Sequence, residues 1–235
     1  MQAIILAGGQ GSRLRPFTTF IPKPLMPMGD MPILEIIMRQ LKHFGVKNVV
    51  ISVNHLADLM MAFFKSGEKL GLDINYAIEE KALGTAGPLS IMDNLEETFL
   101  VMNADLLTTI DYGNLINFHK KNGFDATIST YKKEVKISLG VIQSQENNFV
   151  NYIEKPTYNF DVSMGIYVFN KSVIEYIPKN ERMDIPDLIL KLKENNKKIG
   201  CYYANYDWLD IGKFDDYEKA VSVFKEKRSE FLRNG

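Results

Sequence analysis

The chain has 235 residues, 46% hydrophobic and 24% charged, with 28 basic and 29 acidic side chains and a formal net charge of -1. That length is ample for the buried core of one large α/β domain, and the charge balance argues against duplex DNA or RNA as the main partner, because a nucleic-acid footprint needs a basic excess. No apolar run approaches the roughly 20 residues of a membrane span, and the single cysteine, Cys201, excludes an internal disulfide. With an N-terminus that has no basic leader, these features lead us to expect a cytoplasmic protein.

Taken in chain order, short β-branched runs alternate with helical patterns. QAIIL (2–6), NVVISV (48–53), DINYAI (73–78) and TFLVMN (98–103) read as strands buried on both faces. Between the first two, Ile33, Ile37, Leu41 and Phe44 recur at helical spacing, with Pro32 suited to the first turn and Gly45 to the position past the end. A second helical stretch, LADLMMAFFKSG, precedes the third strand. The alternation to about residue 120 is a βαβ pattern and predicts a mostly parallel sheet. After it, DATISTY, SLGVIQ, FVNYIEK and SMGIYVF read as strands without long helices between them, an antiparallel or mixed extension of the sheet. Helices return at DIPDLILKLKENN and over residues 214–234. No repeat or flexible linker divides the chain, so a single domain is expected.

The first strand runs into LAGGQGSRLRPFT, a glycine loop with Arg13, Arg15 and, shortly after, Lys23 between Pro22 and Pro24. Strand, glycine loop and helix is the geometry that places backbone N–H groups around phosphate. It is not a P-loop, since no GxxxxGK followed by Ser or Thr occurs. Nor is it the dinucleotide fingerprint, since Leu14 stands where the third glycine belongs. A glycine pair alone is commonly a tight turn. Three cations within eleven residues repel one another unless anions or carboxylates sit among them, which favours a polyphosphate site.

The run LAGGQGSRLRPFT…PKPLMPMGDMPILE resembles the signature of the sugar-1-phosphate nucleotidylyltransferases. EEKALGTAGPL, NADL, EKP, MGIYVF and WLDIGKFDDY resemble that family's later motifs, in the family's order, out to about residue 220. The resemblance implies an α/β fold with a Rossmann-like, mostly parallel mixed sheet flanked by helices, of the nucleotide-diphospho-sugar transferase (GT-A-like) type. A nucleotide-binding half would span about residues 1–110 and a sugar-phosphate-binding half about 111–235. The implied reaction moves a nucleoside monophosphate from an NTP to a sugar 1-phosphate and releases pyrophosphate. Leu6, Ala7, Gly8, Gly9, Gly11, Ser12, Arg13, Glu79, Gly84 and Thr85 would hold the nucleotide. Arg13, Lys23 and Asp105 would be the catalytic residues, with Arg13 gripping phosphates through its planar fork and Lys23 stabilising charge between the reacting phosphates. Asp105 and Asp210 match the family's metal aspartates, and Mg²⁺ takes one or two carboxylates together with phosphate oxygens. Gly140, Glu154, Lys155, Ser163 and Gly165 would face the sugar phosphate. Ser163 departs from the family's common Asn, which leaves the sugar open. A hexose, amino-hexose or heptose 1-phosphate is expected.

Relatives that use uridine or thymidine nucleotides often carry Gln five residues before the glycine of LGT; this chain has Glu79. A carboxylate only accepts, and guanine offers N1–H and its 2-amino group side by side, so GTP is favoured. Glu80 is the competing reader. UTP, CTP or TTP, a non-sugar acceptor such as phosphocholine, and a catalytically silent sensor of a nucleotide sugar stand as alternatives. The expected partners are small molecules, with the apolar side of the last helix a candidate contact for a homo-oligomer. His43, His55 and His119 read as helix-surface residues, and Cys201 as a small core residue. Asp207, Asp215 and Asp216 read as structural, the last two opening the final helix.

Overall fold

A computed structural model describes residues 1–233; Asn234, expected at the end of the last helix, lies outside them. In chain order the elements are β1 (Gln2–Leu6), β2 (Pro27–Met28), β3 (Met31–Pro32), α1 (Ile33–His43), β4 (Asn48–Val53), α2 (Ala57–Phe64), β5 (Asp73–Ile78), β6 (Thr98–Asn103), β7 (Leu106–Thr108), α3 (Tyr112–Asn122), β8 (Ala126–Lys136), β9 (Val141–Gln145), β10 (Asn148–Ile153), β11 (Thr157–Asn170), α4 (Ile185–Glu194), β12 (Ile199–Tyr202), β13 (Trp208–Asp210), α5 (Phe214–Glu226) and α6 (Arg228–Leu232). Short 3-10 turns fill the loop after β1, at Ser12–Leu14, Phe17–Thr19 and Lys23–Leu25.

Seven strands form the central sheet in the order β12-β8-β11-β6-β1-β4-β5. β6, β1, β4 and β5 run parallel, as do β12 and β8, and β11 alone runs against its neighbours β6 and β8. The expected mostly parallel mixed sheet is therefore present. Alternation along β1 and β6 sorts side chains into two core layers. Ala3, Ile5, Leu100 and Met102 face the layer with α1 and the C-terminal helices, through Ile33, Ile37, Leu41, Phe224 and Phe231. Ile4, Phe99 and Val101 face the layer with α4, through Ile185, Leu188 and Leu192.

Several sequence expectations need correction. β5 is an edge strand, so Ile74 is buried while Ile78 is exposed. Of the four strands expected at DATISTY, SLGVIQ, FVNYIEK and SMGIYVF, only the first and last, β8 and β11, enter the main sheet; β9 and β10 pair with each other in a separate ribbon. The long C-terminal helix breaks at Lys227, whose side chain turns to Asp207 at 2.6 Å while Arg228 grips Asp30. Cys201 is exposed, because alternation along β12 turns its neighbour Gly200 inward against Phe124.

His119 is likewise not a surface residue. It is 1% exposed on the inner face of α3. The Asn170 amide donates to the Phe124 carbonyl, so its oxygen is left to accept from the Thr98 hydroxyl and from His119 Nε2. Nδ1 then accepts from the Thr127 hydroxyl at 2.9 Å. That network suits the neutral imidazole, and burial pulls its pKa below the ordinary 6.5. A depressed folded-state pKa means the stabilising contribution is complete above the unfolded-state value and lost as pH falls through the folded-state one. Urea midpoints measured from about pH 7.5 down to about pH 5.5 are expected to fall more in the wild type than in His119→Gln. Equal pH dependence in the two proteins would contradict this account.

Candidate active site

The chain leaves β1 toward β4 on one side, and β6 returns on the other, so the strand order reverses at β1. In open α/β sheets, such a reversal opens a crevice outside the carboxyl ends of the strands, where ligands bind. Here the crevice is a cleft of about 360 Å³. It is lined by Leu6, Ala7, Gly8, Gly9, Gly11, Ser12, Arg13, Lys23, Glu79, Gly84, Thr85 and Asp105, together with Pro24, Ala82, Asn103, Ala104 and Gly212. Every residue expected on the nucleotide side thus borders one cavity of the size that small ligands occupy.

Its charge is arranged by a three-residue ladder. β13 pairs with β7 so that Asp210 stands opposite Leu106, and the Ile211 N–H donates to the Asp105 carbonyl at 3.1 Å. Asp105 and Asp210, 105 residues apart in sequence, become neighbours. Lys23, 8% exposed, closes onto Asp105 Oδ2 at 2.5 Å. Its backbone is shaped by a 3-10 turn between Pro22 and Met26, in which Pro24 is a built-in constraint on φ. Arg13, Asp210 and Asp216 converge around Gly212, while Asp216 also accepts from the Lys213 N–H at 3.1 Å where α5 begins. The carboxylates that the crowded cations call for are therefore in place. Burial, and after it the charge of Asp105, pushes the Asp210 carboxyl above the ordinary carboxylate range, with Lys23 and Arg13 opposing.

Among the described residues, no group of three or more His, Cys, Asp or Glu side chains could hold a metal alone. A pair of adjoining carboxylates beside an anion-receiving loop nevertheless suits Mg²⁺. Held there, that ion would take its remaining ligands from water or phosphate oxygens, and its charge would relieve the repulsion felt by Asp210.

Glu79 is buried and Glu80 exposed, so of the two only Glu79 borders the cleft. Its Oε1 accepts from the Ser52 hydroxyl at 2.6 Å and its Oε2 from the Leu83 N–H at 3.0 Å. A Cβ on Gly8 would stand 2.6 Å from Oε1, so glycine is what lets the carboxylate lie against the loop. Thr85 borders the cleft, but its hydroxyl is committed elsewhere, accepting from the Ile185 N–H and reaching Asp184 at the start of α4. Gly84 packs on the same segment with φ +79.

The five residues expected to face the sugar phosphate lie outside the cleft lining. Glu154 and Lys155 are exposed and sit 3.6 Å from each other. Gly140 lies under the Tyr152 ring, and Ser163 Oγ is 2.8 Å from the Tyr167 hydroxyl. Gly165 comes nearest, its Cα facing Asn103, which does line the cleft. Trp208 steadies β13, the strand that carries Asp210, by donating from Nε1 to the Met164 carbonyl at 3.1 Å. Sequence reasoning did not single out Ser52, Asp184 or Gly212. Of these, only Gly212 carried a signal, as the glycine two residues after Asp210.

The fold and cleft define a doubly wound α/β protein with a glycine loop and its cations at the switch point. The chain belongs to the nucleotidyl transferase family, whose model matches residues 2–227. It is 33% identical over 94% of its length to the UTP–glucose-1-phosphate uridylyltransferase of Synechocystis, of which it covers 62%. It is 31% identical over its full length to the mannose-1-phosphate guanylyltransferase catalytic subunit beta of Dictyostelium discoideum, of which it covers 68%. The chain thus spans less than two thirds of the first of these relatives. The crystal structure of HddC from Yersinia pseudotuberculosis superposes with a TM-score of 0.74 at 25% identity, covering 95% of this chain and 99% of that one.

Gly84 supplies a stability test. At its φ, an added Cβ would also meet the Met183 carbonyl oxygen at 2.6 Å, and backbone cannot step aside as a flexible side chain can. Gly84→Ala is expected to cost about 2–4 kcal/mol, measured by urea unfolding. A loss within experimental error would show that the 181–185 segment yields.

Proposed function

We propose that this chain is a sugar-1-phosphate nucleotidylyltransferase, built as a single domain, that uses Mg²⁺ and favours GTP. The observation that carries the reading is the buried Lys23 bonded to Asp105, with Asp210 alongside, at the end of the glycine loop. A sugar-phosphate oxygen attacks the α-phosphorus in line. The new O–P bond forms as the bond to the β-phosphate oxygen breaks, and pyrophosphate leaves with that electron pair. Two anions must meet, so positive charge has to be fixed at the centre beforehand.

The chain's own residues supply it. Backbone N–H groups of the Ala7–Gly11 loop hold the phosphates, and Arg13 offers its fork to the leaving pair. Lys23, limited by its turn and its burial, meets the transferring phosphoryl group. Asp105 and Asp210 would hold Mg²⁺, whose charge would offset the negative charge that develops on the phosphates. On the acceptor side we assign Glu154 to sugar hydroxyls and Lys155 to the sugar phosphate, with Gly140, Ser163 and Gly165 shaping the approach. Glu79 is the base reader in this proposal, and the cytoplasm its setting. The Synechocystis relative is named for UTP and the Dictyostelium relative for guanylyl transfer, so the base is put to experiment.

Pyrophosphate release with Mg²⁺ should be assayed across four NTPs and a panel of sugar 1-phosphates. Release with GTP and one sugar is expected, reduced about 10²–10³-fold in Lys23→Ala. Release with UTP, CTP or TTP alone would remove the guanine assignment and keep the reaction. No release from any pair, with a nucleotide sugar still bound tightly, would replace the enzyme with a sensor.

A further inference from the structure

Ser52 is fully buried near the end of β4, an apolar strand in which a hydroxyl needs a partner. Its partner is Glu79, and Glu79 is held on every side. Its N–H donates to the Val53 carbonyl at 2.9 Å, and its carbonyl accepts from the Asn54 amide at 2.6 Å. Its two carboxylate oxygens accept from Ser52 and from the Leu83 N–H. Each oxygen therefore has one donor from the protein and retains a lone pair for the cleft that Glu79 borders.

The two clamps are not equivalent. The Leu83 N–H can only donate, so whatever stands at Oε2 must be an acceptor. The Ser52 hydroxyl both donates and accepts. Opposite a carboxylate it donates. Opposite a glutamine whose oxygen stayed on Leu83, the amide nitrogen would face Ser52, and the hydroxyl would turn and accept. We infer that Ser52 is a positioning residue that holds side chain 79 in one place whatever its polarity, and so sets the specificity of the cleft for the base through Glu79. With Glu79, the face presented is two acceptors side by side, which matches a base with two adjacent donors. With glutamine it becomes one acceptor and one donor, which matches an imide N–H beside a carbonyl. This inference rests on the reading of Glu79 as the base reader.

The test is titration calorimetry of the whole chain with GTP, ITP and UTP, with melting temperature as the check on folding. ITP keeps the ring N–H of GTP and lacks the 2-amino group, so the GTP-to-ITP ratio reports the second acceptor directly. The wild type is expected to prefer GTP to ITP by about tenfold, since one hydrogen bond to a charged group is worth roughly that factor. Ser52→Ala leaves Oε1 without its protein donor and should close that gap while UTP affinity stays put. Ser52→Cys, which keeps the volume with a weaker donor, should lie between and remains informative where the alanine variant does not fold. Glu79→Gln should close the gap as well and raise affinity for UTP. If Glu79→Gln closes the gap while both Ser52 variants keep the wild-type ratio, Ser52 is only a packing residue and the inference fails alone. If the wild type does not distinguish GTP from ITP, the reading of Glu79 falls, and this inference with it.

Discussion

A lysine buried to 8% exposure is tolerated only where a carboxylate meets it, because removing an ammonium from water costs several kcal/mol unless it is paired. Lys23 has Asp105 at 2.5 Å, and much of the cleft follows from that one contact. Asp105 must stand at the end of β6, so β6 must lie beside β1, whose loop brings Lys23 round. The β7–β13 ladder then brings Asp210 alongside, and with it the segment that opens α5. Burial first, and the neighbouring Asp105 charge after it, push the Asp210 carboxyl up, and Lys23 and Arg13 oppose them.

What was legible in the sequence was whatever is encoded locally. The first four long strands are short runs rich in apolar residues, and their limits match the structure residue for residue. The glycine loop announced itself by composition, because its glycines and cations lie within one short stretch. Less legible was anything created by register between distant segments. Ser52 reads as one more strand residue until β5 ends beside it and delivers Glu79. Gly212 and Asp184 matter through what packs on them, across 199 and 99 residues of chain from Arg13 and Thr85. The buried His119 shows the same limit. Helical spacing places it on α3, but only Thr98, Thr127 and Asn170, from three other strands, make it an interior residue.

The halves of the molecule are built differently. The nucleotide side, as we propose it, sits on parallel strands buried in two core layers, where each side chain is wedged among others. The side assigned to the acceptor is carried partly by the β9–β10 ribbon and by the outer stretches of β8 and β11, whose side chains are mostly exposed. A rigid floor suits chemistry that depends on fixed charge, whereas a two-stranded ribbon by itself is only marginally stable.

That contrast bears on how such a protein diversifies. The ribbon's two strands hydrogen-bond to each other rather than to the main sheet. Substitutions there share few partners with the cleft's charged centre, and mutations without shared partners act nearly independently. Residues such as Ile142, Phe149 and Tyr152, already in solvent, can change with little loss of folding energy. On the acceptor assignment proposed above, selection can therefore explore new acceptors on the ribbon one substitution at a time, while the buried lysine and its aspartates stay untouched.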